Sequence, residues 1–146
     1  MRGFHDVSRH RQARRIPGVL ILRFDGPLFF ANGALFDEWV RVQVTRSASS
    51  GRPIRTVVLA AEPITRIDSS AIDELIELDD YLCQHGIDLV FAELKDPVRE
   101  HLERYWLAVG DRPRFVDSQF APTLGAIVDA LREEDAALRE KNTDSD

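Results

Sequence analysis

The sequence predicts a single α/β domain. A mixed β-sheet opens on an N-terminal antiparallel hairpin, continues in parallel strands and carries helices packed over it. Three observations predict this. Short apolar runs rich in β-branched residues recur along the chain, which is the pattern of strands buried on both faces. Between them lie longer segments with apolar residues at helical spacing, as expected of helices with one buried face. The length, 146 residues, suffices for one core and not for two comfortable ones.

The elements follow in order. Pro17-Gly18 opens the core, and VLILRF at Val19–Phe24 reads as a buried strand. Asp25-Gly26-Pro27 is a turn signal. The apolar run at 28–31 reads as a second strand, and so short a turn predicts a hairpin. Asn32 and Gly33 close that strand and can cap the next helix. Over 34–45, Leu35, Phe36, Trp39, Val40 and Val44 fall at helical spacing. SASSGRP at 47–53 is a loop, and IRTVVLAA at 54–61 is apolar enough for a central strand.

A connection holding Pro63 leads to a second helix over 70–85. Its expected core face is Ile72, Leu75, Ile76, Leu82 and Cys83, with Asp79 the polar exception. Gly86 suits the position after its end. Another buried strand covers 88–92. A third helix covers 97–108, with Val98, Leu102, Tyr105 and Trp106 inward and Pro97 in its first turn. Phe115-Val116 reads as a short strand. A last helix starts near Ser118 and carries Leu124, Ile127, Val128 and Leu131 on one face. The order β-β-α-β-α-β-α-β-α calls for parallel strands joined by right-handed helical crossovers.

Composition narrows the function. Hydrophobic residues at 44% and charged residues at 30% fit a soluble globular domain. The apolar runs are far shorter than a membrane span, and no apolar leader follows Met1. A net charge of −6 argues against nucleic acid as a partner. The charge is uneven. Arg2, Arg9, Arg11, Arg14 and Arg15 face only Asp6 in the first fifteen residues. Such a segment suits either a solvated terminus or a stretch beside anionic lipid under a membrane. Residues from Asp129 onward are acidic, and those beyond about Leu138 are expected to be disordered. The lone Cys83 cannot form an internal disulfide and reads as a buried small hydrophobe.

Asp68-Ser69-Ser70 lies between a strand and a helix, at the strand ends where ligands of open α/β sheets gather. Free N–H groups at a helix start favour an anion there. The same three residues are ordinary helix caps, and Ser70 with Asp73 resembles a capping box. Neither GxxxxGK[ST] nor GxGxxG occurs. His5, His10, His85 and His101 form no zinc spacing with the cysteine, and no serine has a nucleophile-elbow context. No catalytic residue and no metal ligand is expected.

Three segments carry a family resemblance: FHDV at 4–7, PGVLILRFDGPLFFANG at 17–33 and VVLAAEPITRIDSSA at 57–71. They resemble the STAS domain (sulphate transporter and anti-sigma-factor antagonist), in particular the cytosolic C-terminal domain of bacterial SulP-type anion transporters. The resemblance runs from about residue 4 to 131. It implies a basic juxtamembrane linker at 1–16 and a STAS domain at 17–134, after which the composition reads 135–146 as an acidic disordered tail. It also implies a regulatory, non-catalytic module on the cytoplasmic face of the cell membrane. Its partners would be the transmembrane domain of the same transporter and anionic lipid near residues 1–15.

In the anti-sigma-factor antagonists of the family, the serine after the aspartate is phosphorylated, which carries over to Ser69. Ala71 stands where their pattern has Gly. A free-standing antagonist switched at Ser69 is the alternative reading, and a nucleotide hydrolase is a third. Guanine-nucleotide binding has been proposed for such domains. Here it would fall to the loop ends: Asn32, Gly33, Asp68, Ser69, Ser70 and Lys95, with Glu93 and Asp96 beside them. No cofactor is required on this reading, and GTP or GDP would be a weak ligand.

Overall fold

The computed structural model describes residues 4–6, 16–24, 30–109 and 117–144. Five strands form one sheet in the order β1-β2-β3-β4-β5. They are β1 (Phe4–Asp6), β2 (Val19–Phe24), β3 (Thr56–Ala60), β4 (Asp88–Ala92) and β5 (Phe120–Ala121). The helices are α1 (Phe30–Ser49), α2 (Ser69–Gln84), α3 (Asp96–Val109) and α4 (Leu124–Asp144). Strands β2 to β5 are parallel, and β1 lies antiparallel against β2.

The expected string of elements is present, but its first two strands are not the expected pair. Of the expected hairpin partner at 28–31, Phe30 and Ala31 already belong to α1, and 28–29 lie outside the described residues. The reason is the occupancy of β2's edges. Leu22 pairs with Asp6 on one side and with Leu59 on the other, so no edge remains for a returning strand. A four-residue apolar run cannot by itself declare helix or strand. Asn32 and Gly33 therefore lie inside the first turns of α1 rather than after a strand. Phe115-Val116 lies outside the described residues, and the last strand is Phe120–Ala121.

Parallel strands in sequential order, joined by right-handed crossovers, place every crossover helix on one face. Accordingly α1, α2 and α3 cover the face that buries Leu20, Leu22, Val57, Leu59, Leu89 and Phe91. The other face buries Val19, Ile21, Val58 and Val90 beneath Val128 and Leu131 of α4. Both faces of β3 are covered and all five of its residues are buried, which is why it reads as an unbroken apolar run.

Helix α2 ends as its sequence suggests. Gly86 has φ +69°, and the Ile87 and Gly86 N–H groups donate to the carbonyls of Leu82 and Cys83, a Schellman closure. Its buried stripe is Ala71, Ile72, Leu75, Leu78 and Leu82. Cys83 is exposed, not buried as expected, because it lies one step around the helix from Leu82. Asp79 earns its place on the half-buried side by accepting from the Gln119 amide at 3.1 Å. Helix α4 continues to Asp144, across residues 135–144 where disorder was expected. Its inward stripe carries on through Asp135, whose carboxylate meets Arg139 at 3.2 Å and Arg55 at 3.8 Å.

Candidate functional site

The loops after β3 and β4 leave the carboxyl ends of adjacent parallel strands. The first runs to the start of α2, and Asp68 is the N-cap. It has extended backbone (φ −92°, ψ 166°), and its Oδ1 accepts from the Ala71 N–H at 2.7 Å. A cap of this kind contributes about 1 kcal/mol. Ser69 and Ser70 are the first two helical residues, and both are exposed. The expected Ser70–Asp73 capping box does not form, since Asp68 already holds the cap position. Asp73 instead accepts from the Tyr105 hydroxyl at 2.9 Å and ties α2 to α3.

Ser69 opens onto a cavity of about 470 Å³ between the N-terminal ends of α2 and α3. Thr65, Arg66, Asp68, Pro97 and His101 line it with Ser69. Arg66 and His101 supply positive or ionisable groups near the serine, and the start of α2 supplies its positive dipole end. An anion on or beside Ser69 would thus share the cavity with Arg66, His101 and the start of α2, and with the opposing carboxylate of Asp68. Arg66 was within reach of sequence reasoning, being three residues before Ser69 in TRIDSS. His101 was not, because only the packing of α3 brings it there.

The other expected ligand residues are distributed differently. Lys95 donates to the Glu62 carbonyl, and Glu62 meets Arg23 at 3.6 Å. Lys95 therefore braces the loops after β3 and β4 and is not in the lining of the Ser69 cavity. Glu93 has φ +62°, and its Oε1 accepts from the Leu124 N–H at 3.3 Å. It caps α4 on the opposite face of the sheet. Asp96 is the exposed first residue of α3. Among the described residues the order of the parallel strands never reverses, so the sheet they form has no switch-point crevice of the kind that holds dinucleotides.

A second polar cluster, unseen in the sequence, lies between α1 and α2. Carboxylate oxygens of Asp37, Glu74 and Glu77 lie within 4.8 Å of one another. Asp37 is buried and accepts from Arg41 Nε at 2.6 Å. The Arg41 guanidinium sits 4.4 Å from the centre of the Tyr81 ring. Its hydrogen bond to Asp37 raises the Arg41 pKa. Burial, followed by the hydrogen bond and charge of Asp37, pushes the Glu74 carboxyl above its ordinary value. The folded protein then keeps a proton that the unfolded chain has released. The associated stability is present below the unfolded carboxyl pKa and is lost as pH rises through the raised value. Glu74→Gln is expected to flatten this slope, so that its stability relative to the parent protein improves from about pH 4 to about pH 8. Urea unfolding across that range checks it, and parallel pH profiles for the two proteins would rule it out.

Among the described residues, no helix is long and apolar enough to cross a membrane. A family model for the STAS domain matches residues 10–109. A probable sulfate transporter of Mycobacterium tuberculosis is 34% identical over 100 residues, covering 68% of this chain and 17% of that protein. The chain thus spans about a sixth of the length of such curated relatives.

Solved structures share the fold, these three among them. The murine anion transporter Slc26a9 in its inward-facing state has a TM-score of 0.67 at 18% identity, over 91% of this chain and 22% of that one. The STAS domain of a SulP transporter from Vibrio cholerae has a TM-score of 0.55 at 23% identity, over 81% and 83%. The phosphorylated Bacillus cell-fate determinant SpoIIAA has a TM-score of 0.54 at 14% identity, over 80% and 93%. With the family model spanning most of the sheet and its three crossover helices, the chain belongs to the STAS domain family and is related to the STAS domains of SulP transporters.

Proposed function

We propose that the chain is the cytosolic regulatory STAS domain of a SulP-type transporter of sulfate or a related anion. It works without catalysis, at the cytoplasmic face of the cell membrane, through contacts with the transporter's own membrane-spanning part. The single observation that carries this reading is the match of a domain-sized piece of a much longer sulfate transporter to most of this chain. The Arg-rich residues 1–15 are assigned to the membrane-proximal link, beside anionic lipid.

The docking surface on this reading is the cavity beside Ser69. A phosphate on Ser69 would add roughly −1.5 to −2 charge at the positive end of α2, near Arg66 and His101. It would change docking with little cost to folding. GTP or GDP would bind weakly at this end, because the strand order offers no crevice. Asp68, in the lining of the same cavity, also opposes a phosphate there.

The test is sulfate uptake by cells whose chain carries Ser69→Asp or Ser69→Ala. Ser69→Asp should alter uptake by roughly fivefold or more relative to Ser69→Ala, the low end of coupling between linked sites. Its unfolding midpoint should be unchanged or slightly raised. Uptake of sulfate and of other oxyanions that is indifferent to both variants and to removal of the whole domain would sink the proposal. The exposed Ser69 beside Asp68 favours one second reading, a free-standing anti-sigma-factor antagonist. On that reading, affinity-tagged chain from its native cells would co-purify with an anti-sigma factor and not with a membrane transporter.

A further inference from the structure

The opposite end of the sheet holds a larger groove, of about 870 Å³. It lies between the C-terminal end of α1, the segments that lead into β2 and β3, and the last turns of α4. We propose that this groove binds a phosphate-bearing anion. Its ionisable lining is Arg46, Arg52, Arg55, Arg139 and Asp135, a local charge of +3 on a chain whose net charge is −6. A cluster of that sign against the sign of the whole molecule draws anions to one place.

The groove is built rather than incidental. Arg55 is half-buried and held on three sides. Its guanidinium donates to the Pro17 carbonyl at 3.1 Å and meets Asp135 at 3.8 Å. Its stem and Nε pass over Gly18, where a Cβ would lie 2.7 Å from Nε. Asp135 also meets Arg139, so one carboxylate orients two guanidiniums and still leaves an excess of positive charge. Arg46 stands in the last turn of α1, where a cation is favourable on dipole grounds alone. That explanation does not extend to Arg52. Among the described residues neither Arg46 nor Arg52 has a carboxylate partner. Planar guanidiniums with free donors suit phosphate oxygens in two-point contacts.

The volume exceeds that of a lone phosphate and falls in the range of small-molecule sites. Ile16 and the exposed Leu138 add an apolar wall. The ligand is therefore read as a phosphate ester with an apolar portion. Either a soluble compound or an anionic phospholipid headgroup supplies that chemistry.

The experiment uses the isotopically labelled full chain. It is titrated with sodium pyrophosphate at constant ionic strength, against sodium chloride as control. In parallel, it is sedimented with vesicles of phosphatidylglycerol in phosphatidylcholine. Saturable shifts at the Gly18, Gly51 and Arg52 amides with pyrophosphate are expected for a soluble ligand. Sedimentation with the anionic vesicles alone is expected for a headgroup. In either case Arg46→Ala/Arg52→Ala should weaken binding about tenfold or more, with the unfolding midpoint retained because both side chains are exposed. The proposal is overturned by any of three results: no saturable response to either probe, pyrophosphate shifts confined to the Ser69 end, or binding that survives the double variant. Vesicle binding that survives would belong to residues 1–15.

Discussion

Phe36→Ala is expected to cost about 3–5 kcal/mol of folding stability, a large part of what a domain of this size possesses. Phe36 is fully buried on α1, in the cluster that joins α1 and α2 to the sheet residues Leu20, Leu22, Val57 and Leu59. Helix α1 is also the crossover that makes β2 and β3 parallel, so a cavity under it loosens the joint between the two strands. Truncation removes the transfer free energy of the ring and leaves a void that the rigid sheet cannot close. The neighbouring Leu35 is 48% exposed, and Leu35→Ala should change stability by no more than about 0.5 kcal/mol. Urea unfolding of both variants checks this. The midpoint of Phe36→Ala should fall sharply at unchanged slope. Equal, small losses for the two would show that the helical face has been assigned wrongly.

That pair of residues shows what the sequence could say. Leu35 and Phe36 are both apolar and both fit a helical period, and only packing decides which faces inward. The central strands were legible because both their faces are covered, which leaves no polar alternation to confuse the reading. The hairpin was misread because the partner of β2 on that side is Phe4–Asp6, three residues within a charged lead-in that carries no strand pattern. Cys83 was misplaced because Ile76 and Cys83 are one heptad apart, while the true stripe runs through Leu75, Leu78 and Leu82. At the Ser69 end, Asp68 and Ser69 announced a helix start in four letters of sequence. His101 joined them only through the docking of α3. The groove at the other end could not be read at all, since its arginines come from α1, the approach to β3 and α4, separated by up to most of the chain.

Gly18→Ala is the second large effect, expected to cost about 2 kcal/mol or more. Gly18 has φ +78°, a conformation that costs a residue with a Cβ roughly 1–2 kcal/mol. Its carbonyl also accepts from the Arg55 N–H at 2.6 Å and the Thr56 N–H at 3.1 Å, so it fixes where β3 begins beside β2. Backbone relaxation to relieve strain at Gly18 would disturb both bonds. The new methyl would further meet Arg55 Nε at 2.7 Å and Cγ at 3.3 Å, forcing the guanidinium off the Pro17 carbonyl and Asp135. These two contributions separate in a double-mutant cycle with Arg55→Ala. In the Arg55→Ala background the steric part is gone, and Gly18→Ala should cost only the roughly 1 kcal/mol or more that belongs to the backbone. A cost that is the same in both backgrounds would mean that Arg55 does not lie over Gly18. The arginine groove would then lose the guanidinium that, with Asp135, fixes its wall.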